Sequence, residues 1–203
     1  MFKYLIRSSK FVIIKFYSLV ASISNCIILR ANSVDFDRSL IINGPIRCDV
    51  KSSGRMSLSE NVKINSGPFF NPIGRNQVSN FRVGHEANLV IGNGVGMSSV
   101  TIVCTKEILI GDNVHIGGNT VIYDTDFHSV SKEHRVNRKL DQINTVAKPI
   151  YIEDGVFIGA HCTILKGSKI GQNSVVGAGS VVAGAIPSNE IWAGNPARLI
   201  KSL

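Results

Sequence analysis

The strongest constraint in this chain is a period of six. Aliphatic residues stand at Ile110, Ile116 and Ile122, then at Ile152, Ile158, Ile164, Ile170, Val176 and Val182, and glycine follows at Gly111, Gly117, Gly159, Gly171 and Gly177. Six is neither the 3.6 residues of an α-helix nor the bare alternation of a strand. It suits a strand of about four residues and a two-residue corner, with the aliphatic side chain inward and glycine or asparagine at the turn. Three such edges close a triangular coil of about eighteen residues, and stacked coils pair their backbones about 4.8 Å apart around one shared core. The predicted class is therefore all-β, a parallel β-helix. A weaker register runs back through Ile91 to Val62, Met56 and Ile42, with one extra residue to absorb before Ile110.

The rest of the composition narrows the partners. The 44% of hydrophobic residues among 203 suffices for a core. Cys26, Cys48, Cys104 and Cys162 are too widely spaced for a zinc knuckle or a tight disulfide framework, and read as small buried hydrophobes. Of the net charge of +8, five charges lie in the first thirty residues, where Lys3, Arg7, Lys10, Lys15 and Arg30 meet no acid. That asymmetry argues against a nucleic-acid surface on the body of the protein. In the same stretch Phe2, Leu5, Ile6, Val12, Ile13, Phe16, Leu19 and Val20 fall near helical spacing. Residues 1–26 are expected to form an amphipathic helix in peripheral contact with anionic lipid on the cytoplasmic face of a membrane. A helix packed on its own protein, a span or a signal segment are the alternatives. The solenoid is assigned to 27–187, with an inserted loop at 123–148, and 188–203 to a closing tail.

The period stops at YDTDFHSV, residues 123–130, and resumes at Ile150-Tyr151-Ile152. A long polar excursion from a closed coil reads as a functional loop. His128 near its root can accept a proton at cellular pH, and a carboxylate on its other ring nitrogen would fix the tautomer. Alternation along D-T-D-F-H predicts Asp124, Asp126 and His128 on one side. Asp126 is expected to orient His128, and Asp124 to face the substrate.

The segments IGDNVHIG and VGAGSVV resemble the hexapeptide-repeat acyltransferases, the maltose and galactoside O-acetyltransferases and their polysaccharide-modifying relatives. That resemblance implies a left-handed β-helix, acetyl-CoA as co-substrate, no metal, and a homotrimer with sites between subunits. It implies His128 as the base that deprotonates a sugar hydroxyl, of a surface polysaccharide or its lipid-linked precursor. It also implies that Ala160 and Ala178 meet CoA through backbone atoms, and that Arg198 and Lys201, in and after the Ala193-Gly194-Asn195-Pro196-Ala197-Arg198 ending, meet its phosphates. Three departures stand out: His128 falls one residue late, Met97, Cys104 and Thr105 replace polar acceptor contacts, and Ala183-Gly184 replaces Thr-Lys. N-acetylation of an amino sugar and a non-catalytic solenoid are the competing functions. A carbonic-anhydrase-like zinc site would need three histidines, and His128 and His134 are not spaced like the pair such enzymes use.

Overall fold

The computed structural model describes residues 2–73 and 76–203, and side chains from Val12 onward with Ile13 excepted. The expected positions Phe2, Lys3, Leu5, Ile6, Arg7, Lys10 and Ile13 therefore lie outside the described side chains.

The body is the expected prism, a left-handed parallel β-helix with three faces. The first face has seven strands, from Asp35–Phe36 to Ala185–Ile186. The second has eight, from Ile41–Asn43 to Ala197–Ser202, and the third six, from Ile46–Val50 to Val181–Val182. Among the described residues every pairing of these strands is parallel except that of the last two, Glu190–Gly194 and Ala197–Ser202. Each residue of the six-residue series is at most 3% exposed, so the period is the core. One coil repeats the next at eighteen positions, as Ile152 opposite Ile170. The early coils pair in the same parallel way but are longer: Ile64 lies opposite Met97 and Phe81 opposite Ile102.

The corner between the first and second faces shows why these residue types recur. Asn61, Gly94, Asn113, Gly155, Asn173 and Asn189 all take positive φ, 55 to 68°. Asparagine and glycine tolerate that conformation best. The side chains also stitch coil to coil, for Asp112 accepts from the Asn93 amide at 2.7 Å and Asp154 from the Asp112 amide at 2.8 Å.

Two boundaries differ from expectation. The helix α1 spans Phe2–Ala31, and the first strand begins at Asp35 rather than at 27. The extra turn is held by docking: Ala21, Asn25 and Leu29 are buried on one side, and the Asn25 amide donates to Gly44 O and accepts from Ile46 N. At the other end the tail is part of the solenoid, because Glu190–Gly194 continues the second face with Trp192 opposite Val176. Trp192 is partly buried and packs on the core.

A second excursion was not expected. Residues 66–78 leave the corner between the second and third faces, after the strand Lys63–Asn65 and before Ser79–Val83. They fold against later coils through Asn71, which donates to Asn119 Oδ1 at 3.2 Å. Phe69 meets Tyr17 of α1 edge to face at 5.2 Å.

Candidate active site

The long excursion leaves the third face after Val121–Tyr123 and returns to the first face at Ile150–Ile152, so it springs from the corner between them. Its two legs are clasped at the root. Thr125 bridges Ala147, the Asp126 amide donates to Val146 O, and the Lys148 amide donates to Asp124 O at 2.9 Å. Beyond the clasp lie two short helices, α2 (Lys132–Arg135) and α3 (Arg138–Ile143). Asn137 caps α3 by accepting from the amides of Lys139 and Leu140. The loop is thus folded on itself, with Ser129 buried at its centre and Arg135 donating to the carbonyls of Ser129 and Val130.

His128 is held by an acid that sequence reading missed. Its Nδ1 lies 2.7 Å from Oδ2 of Asp141, on α3, and the other Asp141 oxygen accepts from the Ser129 amide at 2.7 Å. These two bonds, the histidine's first, hold the Asp141 carboxyl below its ordinary 3.8. An ionised carboxylate only accepts, so the proton sits on Nδ1 and Nε2 is left as the basic nitrogen. The imidazole is otherwise open, 71% exposed, whereas the Asp141 side chain is 13% exposed. This is the geometry of a base with a fixed tautomer facing solvent.

Both expected aspartates are placed elsewhere. Asp126 does not orient His128; it pairs with Lys166 of the next coil at 2.9 Å. Asp124 does not face a substrate. It is fully buried, and its two oxygens accept from the Thr105 amide and hydroxyl and from the amides of Lys106 and Glu107, at 2.7 to 2.9 Å. The reason is Phe127, whose φ of 62° breaks the extended run that alternation assumed. The signal for Asp141 was present but local: an asparagine four residues ahead of an acid opens a helix and puts that acid in its first turn.

The residues expected to meet CoA lie along a different corner. Gly117, Gly159 and Gly177 stack on successive coils between the second and third faces. A Cβ on Gly117 would lie 2.4 Å from Ala160 N, and one on Gly159 would lie 2.5 Å from Ala178 N. The result is a narrow ridge of backbone. Among the described residues the N–H groups of Ala160 and Ala178 find no acceptor within the chain, and both residues are accessible. The carbonyls beside them are engaged, by Thr120 Oγ1 on Gly159 O and Ser180 Oγ on Gly177 O. The ridge therefore presents donors. The end hairpin brings Arg198 opposite Ala193, the next step of the same ridge, and Lys201 opposite Ile191, with both cations exposed.

His128 and this ridge are not brought together within one protomer, since the third face separates their corners. The remaining histidines stand apart. His115 is exposed on the second face opposite Phe157, His161 takes a corner φ of 61°, and His134 bonds Ser129 Oγ. No group of three or more His, Cys, Asp or Glu suited to a metal occurs among the described residues. Cys104 and Cys162 are buried, whereas Cys26 and Cys48 are only half-buried. Burial pushes the Cys48 and Cys104 thiols up to about 12, which makes both poor nucleophiles.

The chain is similar to known proteins over part or most of its length. Residues 149–184 match the family described as bacterial transferase hexapeptide (six repeats). A galactoside O-acetyltransferase of Lactococcus lactis subsp. lactis (strain IL1403) is 39% identical over 110 residues, 54% of this chain and 50% of its own length. The chain thus spans about half of that relative. An Escherichia coli (strain K12) protein, provisionally named for O-acetyl transfer in lipopolysaccharide biosynthesis, is 27% identical over 157 residues, 76% of this chain and 75% of its own. A solved galactoside acetyltransferase in complex with coenzyme A is 30% identical, covers 88% of this chain and 68% of its own, and superposes with a TM-score of 0.51.

Proposed function

The chain belongs to the hexapeptide-repeat acetyltransferase family, and from that premise we propose that it moves an acetyl group from acetyl-CoA to a hydroxyl of a sugar in a surface polysaccharide or its precursor. The observation that carries the reading is the His128–Asp141 pair, which leaves a basic Nε2 on an exposed, fixed imidazole.

In the proposed reaction Nε2 takes the proton of the acceptor hydroxyl as its oxygen attacks the thioester carbonyl. The Ala160 N–H, unengaged within the chain, donates to the oxyanion of the tetrahedral intermediate, the kind of preorganised contact worth several kcal/mol. Collapse expels the CoA thiolate, which takes the proton back from Nε2. Asp141 holds the ring and balances the transient imidazolium. Ala178 donates to the pantetheine arm along the ridge, and Arg198 and Lys201 face the CoA phosphates. Because ridge and base occupy different corners, a shared site between protomers of a trimer supplies both. The name of the Escherichia coli relative supports a glycan of the cell surface as acceptor.

Two features support attachment at the cytoplasmic face of a membrane. Val12, Phe16, Leu19, Val20, Ile23 and Ile27 of α1 are all at least half exposed and share one side of the helix, opposite the buried Ala21, Asn25 and Leu29. The helix sequence carries five cations and no acid. By length and composition Ile14–Ala31 could also cross a bilayer. Its inner side is committed to the coils through Asn25, which favours a helix lying in the interface.

The test is thiol release from acetyl-CoA with a panel of sugars and amino sugars, comparing the native chain with His128→Ala. The reading expects turnover on a hydroxyl acceptor and a loss of roughly a hundredfold or more in kcat for the variant. Equal turnover in the variant rejects His128, and transfer to amines alone rejects O-acetylation.

A further inference from the structure

The two excursions flank one surface, the outer side of the third face. Residues 66–78 leave its edge on the second-face side, and the long loop leaves the opposite edge. Between them the strands Ile46–Val50, Ser79–Val83 and Thr101–Cys104 present their outward residues in two rows. Arg47, Asn80 and Thr101 lie in register in one, and Asp49, Arg82 and Val103 in the other. The rows are two residues apart, about 7 Å along the strands. A recess of about 230 Å³ lies at the second row, with Lys51, Arg82, Val103, Thr105 and Phe127 among its walls. A polar recess of about 530 Å³ lies at the first, with Arg47, Asn80, Gln77 and Thr101.

Phe127 is the immediate neighbour of His128. It is a bulky residue in the left-handed region, 52% exposed, with its ring beside that of Tyr123 at 5.3 Å between centroids. Such a conformation in a large side chain is uncommon and clusters at functional sites. An aromatic ring held half open beside a base is a platform for the apolar face of a pyranose. Next to it, Lys51 Nζ and Arg82 Nη2 share a single carboxylate, Asp49 Oδ2, at 3.0 and 3.9 Å. Two cations on one anion leave one positive charge unmatched, and a second anion completes the set. Arg47 adds a third cation along the trough.

We propose that this trough is the acceptor subsite and that it selects a pyranose carrying a negative charge, with Phe127 under the ring and Arg82 and Lys51 on the anion. The inference rests on the acetyl-transfer reading and names the substrate class for that site. Arg47 and the larger recess receive the adjoining sugar unit.

The full-length protein is assayed at low salt with methyl glucuronide, glucose 1-phosphate and methyl glucoside, which share one ring and differ in charge. The expected result is a kcat/KM at least about tenfold higher for an anionic sugar than for the glucoside, the size of one charge-assisted bond. A ring carboxylate is separated from an anomeric phosphate by which of the two leads. In Arg82→Gln and Lys51→Gln the ratio of anionic to neutral sugar falls toward one, and Arg82→Lys restores part of it. Thermal melts identify a variant that has lost its fold, and the second cation variant then carries the test. Preference for the glucoside, or a ratio unmoved in both variants, overturns the proposal. If no sugar is acetylated, the acetyl-transfer reading has failed on its own. Equilibrium binding of the same three sugars to the native chain and both variants then decides the subsite: tighter anion binding lost in the variants supports it, and equal binding sinks it.

Discussion

At the scale of single residues, two aspartates of the same loop do opposite work. Asp124 is sealed, and its carboxylate collects four donors at the turn of the preceding coil. Replacing it by alanine orphans them, at a cost of about 3 kcal/mol or more, which lowers the melting temperature by about 6 °C or more. A melt within about a degree of the native value would show that the turn does not depend on it. Asp141 instead is bonded to His128, through which the proposed reaction has it act. Asp141→Asn keeps the shape but can present an N–H to Nδ1, so the proton is free to sit on Nε2, and kcat falls by roughly a hundredfold or more with little change in melting. A structural role would show the reverse, a lower melt with kcat retained. The folded carboxyl lies below its ordinary 3.8, so its hold on the loop is complete above that value and is lost as pH falls through the lowered one. Protection of the Ser129 amide from exchange should therefore persist at pH 5 and decline below pH 4. His128 was legible because it stands where the period fails. Its partner was not, because Asp141 comes near only after the loop has folded two helical turns of its own, and no repeat encodes that contact.

At the scale of elements, legibility followed the period. Where inward residues are separated by whole coils, as Ile152 and Ile170 are, counting by six suffices, since the same inward position recurs on every edge. Excursion 66–78 was invisible because it lies among early coils whose inward residues, Met56, Ile64, Phe81 and Met97, vary in type. A break in an irregular series leaves no mark. The end of α1 was misjudged for a related reason: Asn25 reads as a polar interruption, yet both ends of its amide serve the first coil. The glycine ridge is an element whose shape can be tested. A methyl at Gly159 would stand 2.5 Å from Ala178 N, tighter than real contacts allow, so Gly159→Ala should force the coils apart at about 1–3 kcal/mol. The same methyl shadows the two free amides, so affinity for CoA by calorimetry should fall further than the melt implies. Unchanged CoA affinity would move the donor off this corner.

At the scale of the molecule, α1 carries two apolar stripes on opposite sides, which a helix serving only its own fold does not need. The inner stripe is spent on the solenoid: Leu29 is 1% exposed, and Leu29→Ala should cost about 2–5 kcal/mol. The outer stripe stays at least half exposed, and at 1.5 Å per residue the run from Val12 to Ile27 is roughly 22 Å long. An anionic bilayer satisfies both properties of the helix, burying the stripe while its cations stay among headgroups. The double variant Phe16→Glu, Ile23→Glu changes only that outer side. Its melt should match the native chain, while co-sedimentation with vesicles containing phosphatidylglycerol should drop by tenfold or more, and high salt should weaken native binding. Removal of both large side chains from the bilayer is worth about 3 kcal/mol or more on area alone, beyond the cost of the added charge. If the variant sediments as well as the native chain, the stripe is not the contact. If it instead changes the mass measured by light scattering, the stripe joins copies of the chain and the membrane reading fails.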